Sequence, residues 1–192
     1  MECDKWHVLF LSYSSGRSSR SEKSFLKLLS CLNQLDSLLR AIVIAKMLVQ
    51  QIWLEKLDWD DSLPDFLSQK WFTFLKDFPN IRVSQIPRWV QFFPNGDVQL
   101  QCFCDASKKA FAAAIYIRIR VADSIHMHVL TAKSKVAPVK TVSLPRLKLG
   151  GAVLIAEMAD IPLPELGIDQ YNLFFWTDST IVLAWLRKPP CQ

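Results

Sequence analysis

The spacing of apolar residues changes once along the chain, near residue 81. Before that point they recur every three or four positions, which is the spacing of helices with one buried face. We predict a helix over 25–57 and a second helix that begins at Pro64 and ends at Pro79. The second helix carries an apolar stripe that we expect to lie in the core: Leu67, Trp71, Phe74, Leu75 and Phe78.

From residue 81 onward the pattern is that of β-structure. Short runs rich in Val, Ile and Phe are separated by turn residues, and they predict an antiparallel meander of three strands, at 98–105, 110–120 and 126–135. A helix that opens at Pro145, a strand that ends at Asp178 and a helix from Ser179 follow. The order β-β-β-α-β-α predicts an α/β (α+β) fold with helices packed on a mixed sheet.

Neither a membrane segment nor a secretory signal is visible in the chain. The longest apolar run, AIVIAKMLVQQIWL, contains Lys46 and two glutamines, which makes it too polar to span a bilayer. The first residues carry too short an apolar run for a secretory signal. Five cysteines, an odd number, favour reduced thiols and an intracellular protein, in the cytoplasm or the nucleus.

Positive charge is concentrated in the second half of the chain. The net charge is +5, and residues 106–148 hold nine Lys or Arg against one acid, Asp123. Such a block favours a phosphate-bearing partner, although a merely solvated face would give the same count.

Two predicted strands end in aspartate, Asp105 and Asp178, which are 73 residues apart (178 − 105). If the strands are parallel neighbours, both carboxylates lie at one edge of the sheet, where they repel each other unless a cation or a proton intervenes. Mg²⁺ prefers such oxygen ligands, and two such ions can hydrolyse a phosphodiester. The alternative is that each aspartate only caps the segment that follows it.

Several segments together resemble the ribonuclease H region of BEL/Pao-type retrotransposon polyproteins. They are FCDAS, LTAKSKVAP, TVSLPRLKLGGAVLIAE and FFWTDSTIVLAWL, and the segment from Ser21 to Pro64 resembles the connection from the reverse transcriptase to that region. The resemblance covers about residues 22–188. The same family also carries a peptidase heading.

The resemblance implies a ribonuclease H-like mixed sheet of five strands, in which the first and fourth strands are adjacent. It implies that Asp105 and Asp178 are the first and third ligands of a two-Mg²⁺ site that hydrolyses RNA in an RNA–DNA hybrid. It also implies that the chain derives from a larger polyprotein. The domains expected are a disordered leader over 1–24, a helical remnant of the reverse-transcriptase connection over 25–80, and the ribonuclease H-like domain over 81–192.

The sequence departs from the family pattern at one ligand. Where relatives carry a glutamate in LPRLEL, this chain has LPRLKL with Lys148. Glu157 cannot replace it, because nine residues at about 100° each bring Glu157 to the opposite face of the helix. The family's fourth acidic ligand and fifth strand would follow Gln192, so we expect a C-terminally truncated, degenerate domain that has lost catalysis. Its phosphate contacts are expected at Lys108, Lys109, Arg146 and Lys148.

Three other functions remain open. A non-catalytic nucleic-acid-binding module would keep the basic face without the chemistry. An aspartic peptidase would use the two carboxylates, but neither is followed by the glycine of the Asp-Thr/Ser-Gly motif. A zinc site would need two pairs of ligands to face each other across strands: Cys102 with Cys104, and His126 with His128. If there is no zinc, the two cysteines are expected to be buried apolar filler.

Overall fold

A computed structural model describes most of the region from residue 39 onward. The described residues are 7–9, 39–58, 60–77, 89–90, 97–122, 124–160 and 172–188. The first part of the predicted helix over 25–57 and the predicted end of the second helix at Pro79 lie outside these residues.

Within these residues, five strands form one mixed sheet. They are β1 (His7–Leu9), β2 (Asp97–Ala106), β3 (Ala110–Val121), β4 (Ser124–Val136) and β5 (Leu173–Thr177), in the order β1-β5-β2-β3-β4. The antiparallel meander β2-β3-β4 is confirmed. β5 is parallel to β2 and lies on the side opposite β3, which confirms that the strands leading to Asp105 and Asp178 are parallel neighbours.

β1 departs from the prediction of a disordered leader over 1–24. His7–Leu9 are extended and pair antiparallel with β5, with Val8 opposite Trp176. The edge of β5 needs partners for its backbone N–H and C=O groups, and a short apolar stretch can supply them in an extended form. The rest of the leader lies outside the described residues.

Four helices accompany the sheet in the described part of the chain. They are α1 (39–54), α2 (Asp65–Asp77), α3 (Leu144–Ala159) and α4 (Thr180–Leu186). Pro145 stands in the first turn of α3, as predicted. Ser179 caps α4, since its Oγ accepts a hydrogen bond from the Val182 N–H at 3.3 Å. No helix in the described residues is long and apolar enough to cross a membrane.

α3 packs on one face of the sheet and forms the main core there. Leu154 and Ile155 are 1% exposed and lie with Ile115 and Ile117 of β3 in a single cluster. Gly151 of α3 faces the end of β2, where a Cβ would lie at an ordinary contact distance of 3.5 Å from the backbone oxygen of Asp105. The first turns of α3 therefore lie against the end of β2.

α1 is hydrogen-bonded to β4 and to the residue that directly follows β4. Lys46 Nζ donates to the backbone oxygen of Ser134 at 2.7 Å, and Gln50 Nε2 donates to that of Ala137 at 2.9 Å. Leu39 packs against a second cluster that includes Phe103 and Tyr116. α1 therefore lies on the face of the sheet opposite α3.

The apolar stripe predicted for α2 is only partly buried. Leu67 is 1% exposed, but Trp71 is 43% and Leu75 is 42% exposed, so the expectation of a core stripe is wrong for these two. A hydrogen bond from Lys70 Nζ to Gln51 Oε1, at 3.0 Å, joins α2 to α1. The helix thus lies beside α1 with much of its apolar surface facing solvent.

Candidate active site at the shared edge of β2 and β5

The parallel pairing of β2 and β5 brings the two predicted aspartates to one place. Cys104 is in register with Thr177, so Asp105 and Asp178 are the next residues along the two strands. The side chain of Asp105 is 57% exposed, and that of Asp178 is 21% exposed. One carboxylate therefore faces solvent while the other lies mostly inside the protein.

Lys148 brings a positive charge between these carboxylates from the start of α3. Its Nζ donates to Asp178 Oδ2 at 2.5 Å and lies 3.9 Å from Asp105 Oδ1. The lysine side chain is 17% exposed, so the ammonium is largely withdrawn from water. Three elements of the fold, α3, β2 and β5, are joined at this ionic cluster.

Opposing influences act on the carboxyl of Asp105. Partial burial and the negative charge of Asp178 raise its pKa, while the Ala106 N–H at 2.6 Å and the Lys148 ammonium lower it, and the net direction is upward. Because more than half of the Asp105 side chain is exposed, solvent screening keeps the effect of this pKa shift on stability small.

Asp178 retains one carboxylate oxygen that Lys148 does not contact. Its Oδ1 atom is buried, and no described residue donates a hydrogen bond to it. A buried acceptor without a donor costs stability, and nothing among the described residues offsets that cost for this oxygen.

The sequence of this chain also matches a known protein family. A family model described as the Pao retrotransposon-like RNaseH-like domain matches residues 26–179. The chain belongs to this family. The resemblance to the ribonuclease H region of BEL/Pao retrotransposons is thereby confirmed over most of the sequence. A search of curated proteins finds no match.

Membership of an RNaseH-like family suggests a divalent metal, and the ligands present can be tested for it. Mg²⁺ takes about six oxygen ligands near 2.1 Å, and it needs carboxylates that are not already paired with a cation. Here Lys148 is hydrogen-bonded to one of the two aspartates, and Glu157 is exposed further along α3. No group of three or more His, Cys, Asp or Glu that could hold a metal occurs among the described residues. The described residues at this edge of the sheet therefore do not fit a Mg²⁺ site.

The predicted phosphate contacts of this RNaseH-like domain fall into two groups. Lys108 and Lys109 are exposed in the turn between β2 and β3, where Ser107 Oγ accepts hydrogen bonds from the backbone of the turn, and Arg146 is exposed on the first turn of α3. Lys148 instead directs its ammonium at the two aspartates. Its ammonium is therefore engaged by carboxylates and is not free to contact phosphate.

Sequence reasoning counted Lys133 and Lys135 in the basic block without singling them out. Both are exposed on β4. The signal that would have found them is their spacing, since two lysines separated by one residue in a strand lie on the same face.

The alternative sites gain no support from the geometry. Cys102 and Cys104 lie on β2 and the two histidines on β4, with β3 between the strands, so the four side chains do not face each other across neighbouring strands. Burial raises the pKa of the thiol to about 12 in Cys102 and about 11 in Cys104, which keeps both protonated as apolar filler. A peptidase dyad would need the two carboxylates to share a proton, but the Lys148 ammonium lies within 4 Å of both.

His128 makes the stability of the domain depend on pH. Its Nε2 atom is buried and has no hydrogen-bond partner among the described residues. Burial and the neighbouring His126 lower the pKa of His128 below its ordinary value of 6.5. The unfolded chain therefore takes up a proton that the folded domain resists, and stability falls as pH drops below 6.5.

His128→Leu is expected to reduce the loss of stability between about pH 7 and pH 5, because leucine removes the proton uptake by the unfolded chain. Urea unfolding of the wild type and the variant at both pH values measures this difference. An equal loss in the two proteins would contradict the assignment to His128.

Proposed function

We propose that this RNaseH-like domain binds nucleic acid, with an RNA–DNA hybrid as its preferred substrate class, and does not hydrolyse it. The observation that carries the proposal is the position of Lys148, whose Nζ lies 2.5 Å from Asp178 Oδ2 and 3.9 Å from Asp105 Oδ1. The ancestral reaction of the family is hydrolysis of the RNA strand. Here a fixed ammonium takes the place of the cation that this reaction requires.

The loss of hydrolysis follows from charge and space. Two-metal hydrolysis needs two ions roughly 4 Å apart, held by several carboxylates, to activate a water and stabilise the leaving oxygen. Lys148 neutralises part of the charge that would attract such ions and fills part of their volume. A protonated amine has no lone pair with which to take a proton from water, so it does not replace the metal as an activator.

Nucleic-acid binding is supported by exposed cations near the same edge of the sheet. Lys108 and Lys109 follow β2 directly, and Arg146 precedes Lys148 by two residues on α3. Their charges are solvent-facing, unlike that of Lys148, and are available to phosphate. Binding through such contacts is independent of sequence and weakens steeply as salt rises, because bound counterions are released.

The cellular context belongs to the same proposal. We infer that the domain derives from a retrotransposon polyprotein, that α1 and α2 are the remnant of its connection to a reverse transcriptase, and that the protein is intracellular. The free, buried thiols of Cys102 and Cys104 are compatible with a reducing compartment.

The proposal is tested with a fluorescently labelled RNA–DNA hybrid. The wild type is expected to bind at low salt, to bind much more weakly at about 0.2 M salt, and to leave the RNA strand intact with Mg²⁺ or Mn²⁺. Absence of binding even at low salt would overturn the binding part.

A matched variant decides the catalytic part. Cleavage by the wild type that disappears in Asp105→Asn would show that the ammonium does not block the site. Cleavage of a peptide substrate, lost through the same substitution, would favour the peptidase instead.

A further inference from the structure

One face of β4 carries a row of polar and basic side chains. Register places Lys135 opposite Phe111, Lys133 opposite Ala113 and Thr131 opposite Ile115. Directly paired residues point to the same face of a sheet. Phe111, Ala113 and Ile115 all belong to the core cluster under α3, so the row lies on the α3 side of the sheet.

The row remains open to solvent because β4 is the outer strand of the sheet that the described residues form, and α3 does not cover it. α3 packs mainly over β2 and β3. Lys133, Lys135 and Thr131 are all exposed. Alternate residues of a strand are about 6.8 Å apart, so Lys133 and Lys135 leave the strand at that spacing on one face. The row on β4 therefore forms a shallow basic track beside α3.

This basic track continues toward the residues already proposed to contact phosphate. The Ala137 N–H donates to the Lys109 backbone oxygen at 2.8 Å, so the end of β4 meets the turn between β2 and β3. On the other side, Gly150 of α3 stands over the Phe111 ring, since a Cβ there would lie 3.7 Å from it. Arg146 lies one helical turn before Gly150 and therefore on the same side of α3.

On β4 itself no acidic side chain offsets this charge, and on the neighbouring side of α3 the exposed Glu157 lies about three helical turns after Arg146. β4 and the segment 137–143 contain Lys133, Lys135 and Lys140 and no Asp or Glu. The nearby carboxylates of Asp105 and Asp178 are already paired with Lys148. A long polyanion, which carries negative charges at intervals along its backbone, is the partner whose charge is complementary to such a track.

We propose that the backbone of a bound nucleic acid runs along β4, with Lys133 and Lys135 contacting successive phosphates and Lys109 and Arg146 extending the contact toward the aspartates. This inference rests on the proposed nucleic-acid binding and specifies where the strand lies. It assigns the main contact surface to β4, beyond the residues that flank the degenerate metal site.

The test compares two double variants with the same change in charge. Lys133→Gln with Lys135→Gln removes the proposed contacts, while Lys70→Gln with Lys76→Gln removes two lysines of α2. Affinity for a labelled RNA–DNA hybrid is measured over a series of salt concentrations. The β4 variant is expected to bind at least about tenfold more weakly at low salt, with a log–log salt slope smaller by about two. The α2 variant should keep the wild-type slope.

The outcomes separate this inference from the proposed function. No binding by the wild type overturns the proposed function and with it the inference. Normal binding by the β4 variant overturns the inference alone.

Lysines on an edge strand can also prevent strands of different molecules from pairing. Weakened binding that appears only together with dimers or larger species in sedimentation therefore overturns the inference. Equal wild-type affinity for a poly-glutamate peptide does so as well, because the partner would then be an acidic protein.

Discussion

Replacement of Lys148 by glutamate is expected to produce a domain whose stability depends on divalent cations. Without them, three carboxylates would meet at the end of β2 and β5, and the loss of the partly buried ion pair should lower the free energy of unfolding by about 2–3 kcal/mol. Added Mn²⁺ or Mg²⁺ should recover most of this loss, since a ligand at a hundred times its Kd stabilises by about 2.7 kcal/mol. The wild type should not respond.

Thermal unfolding with and without divalent cations measures this effect, and Lys148→Met is the matched control. Methionine removes the ammonium but supplies no carboxylate, so that variant should be destabilised and should gain little from metal. A rise of several degrees in the wild-type Tm on addition of Mg²⁺ would contradict the view that Lys148 occupies the cation position.

Leu154→Ala is expected to give the largest loss of stability, about 3 kcal/mol, with a lower denaturant midpoint. Leu154 is 1% exposed and lies in the cluster between α3 and the sheet, so truncation leaves a cavity there. The adjacent Val153 is 50% exposed on the same helix. Val153→Ala should therefore change stability by less than about 0.5 kcal/mol, and it is the matched control.

Urea unfolding followed by circular dichroism compares the two substitutions. Equal midpoints for Leu154→Ala and Val153→Ala would mean that α3 does not pack on the sheet through the face that contains Leu154. A change in the m-value of either variant would indicate an altered unfolded or native state rather than a simple loss of packing.

The sheet could be predicted because its strands obey local rules. Alternating apolar residues in β2 and β3 fix which side chains face the core, and short connections require antiparallel pairing. The parallel pairing of β2 and β5 followed from requiring Asp105 and Asp178 to share one edge. The position of Lys148 at a ligand site was predicted from the resemblance to a family, in which this position carries a glutamate. Composition alone does not distinguish Lys148 from the exposed lysines.

Features that depend on distant parts of the chain were not predictable in this way. The pairing of His7–Leu9 with β5 joins residues about 170 apart, and no local pattern specifies such a partner. The exposure of Trp71 was missed because helical periodicity identifies an apolar face but not what lies against it. The spacing of Lys133 and Lys135 indicates that they share one face of β4, but the register was needed to show that this face lies beside α3 on the uncovered strand.

The arrangement of aromatic rings beneath the candidate site provides an intrinsic optical reporter of folding. Trp176 stacks on Phe103 with 5.9 Å between ring centroids, and its Nε1 donates to Gln101 Oε1 at 2.8 Å. Among the described tryptophans Trp176 is the least exposed, since Trp53, Trp71, Trp89 and Trp185 are 79%, 43%, 67% and 38% exposed. Loss of this packing on denaturation should shift the emission of Trp176 to the red, and because Trp176 is two residues from Asp178, its contribution follows the integrity of the ionic cluster without a label.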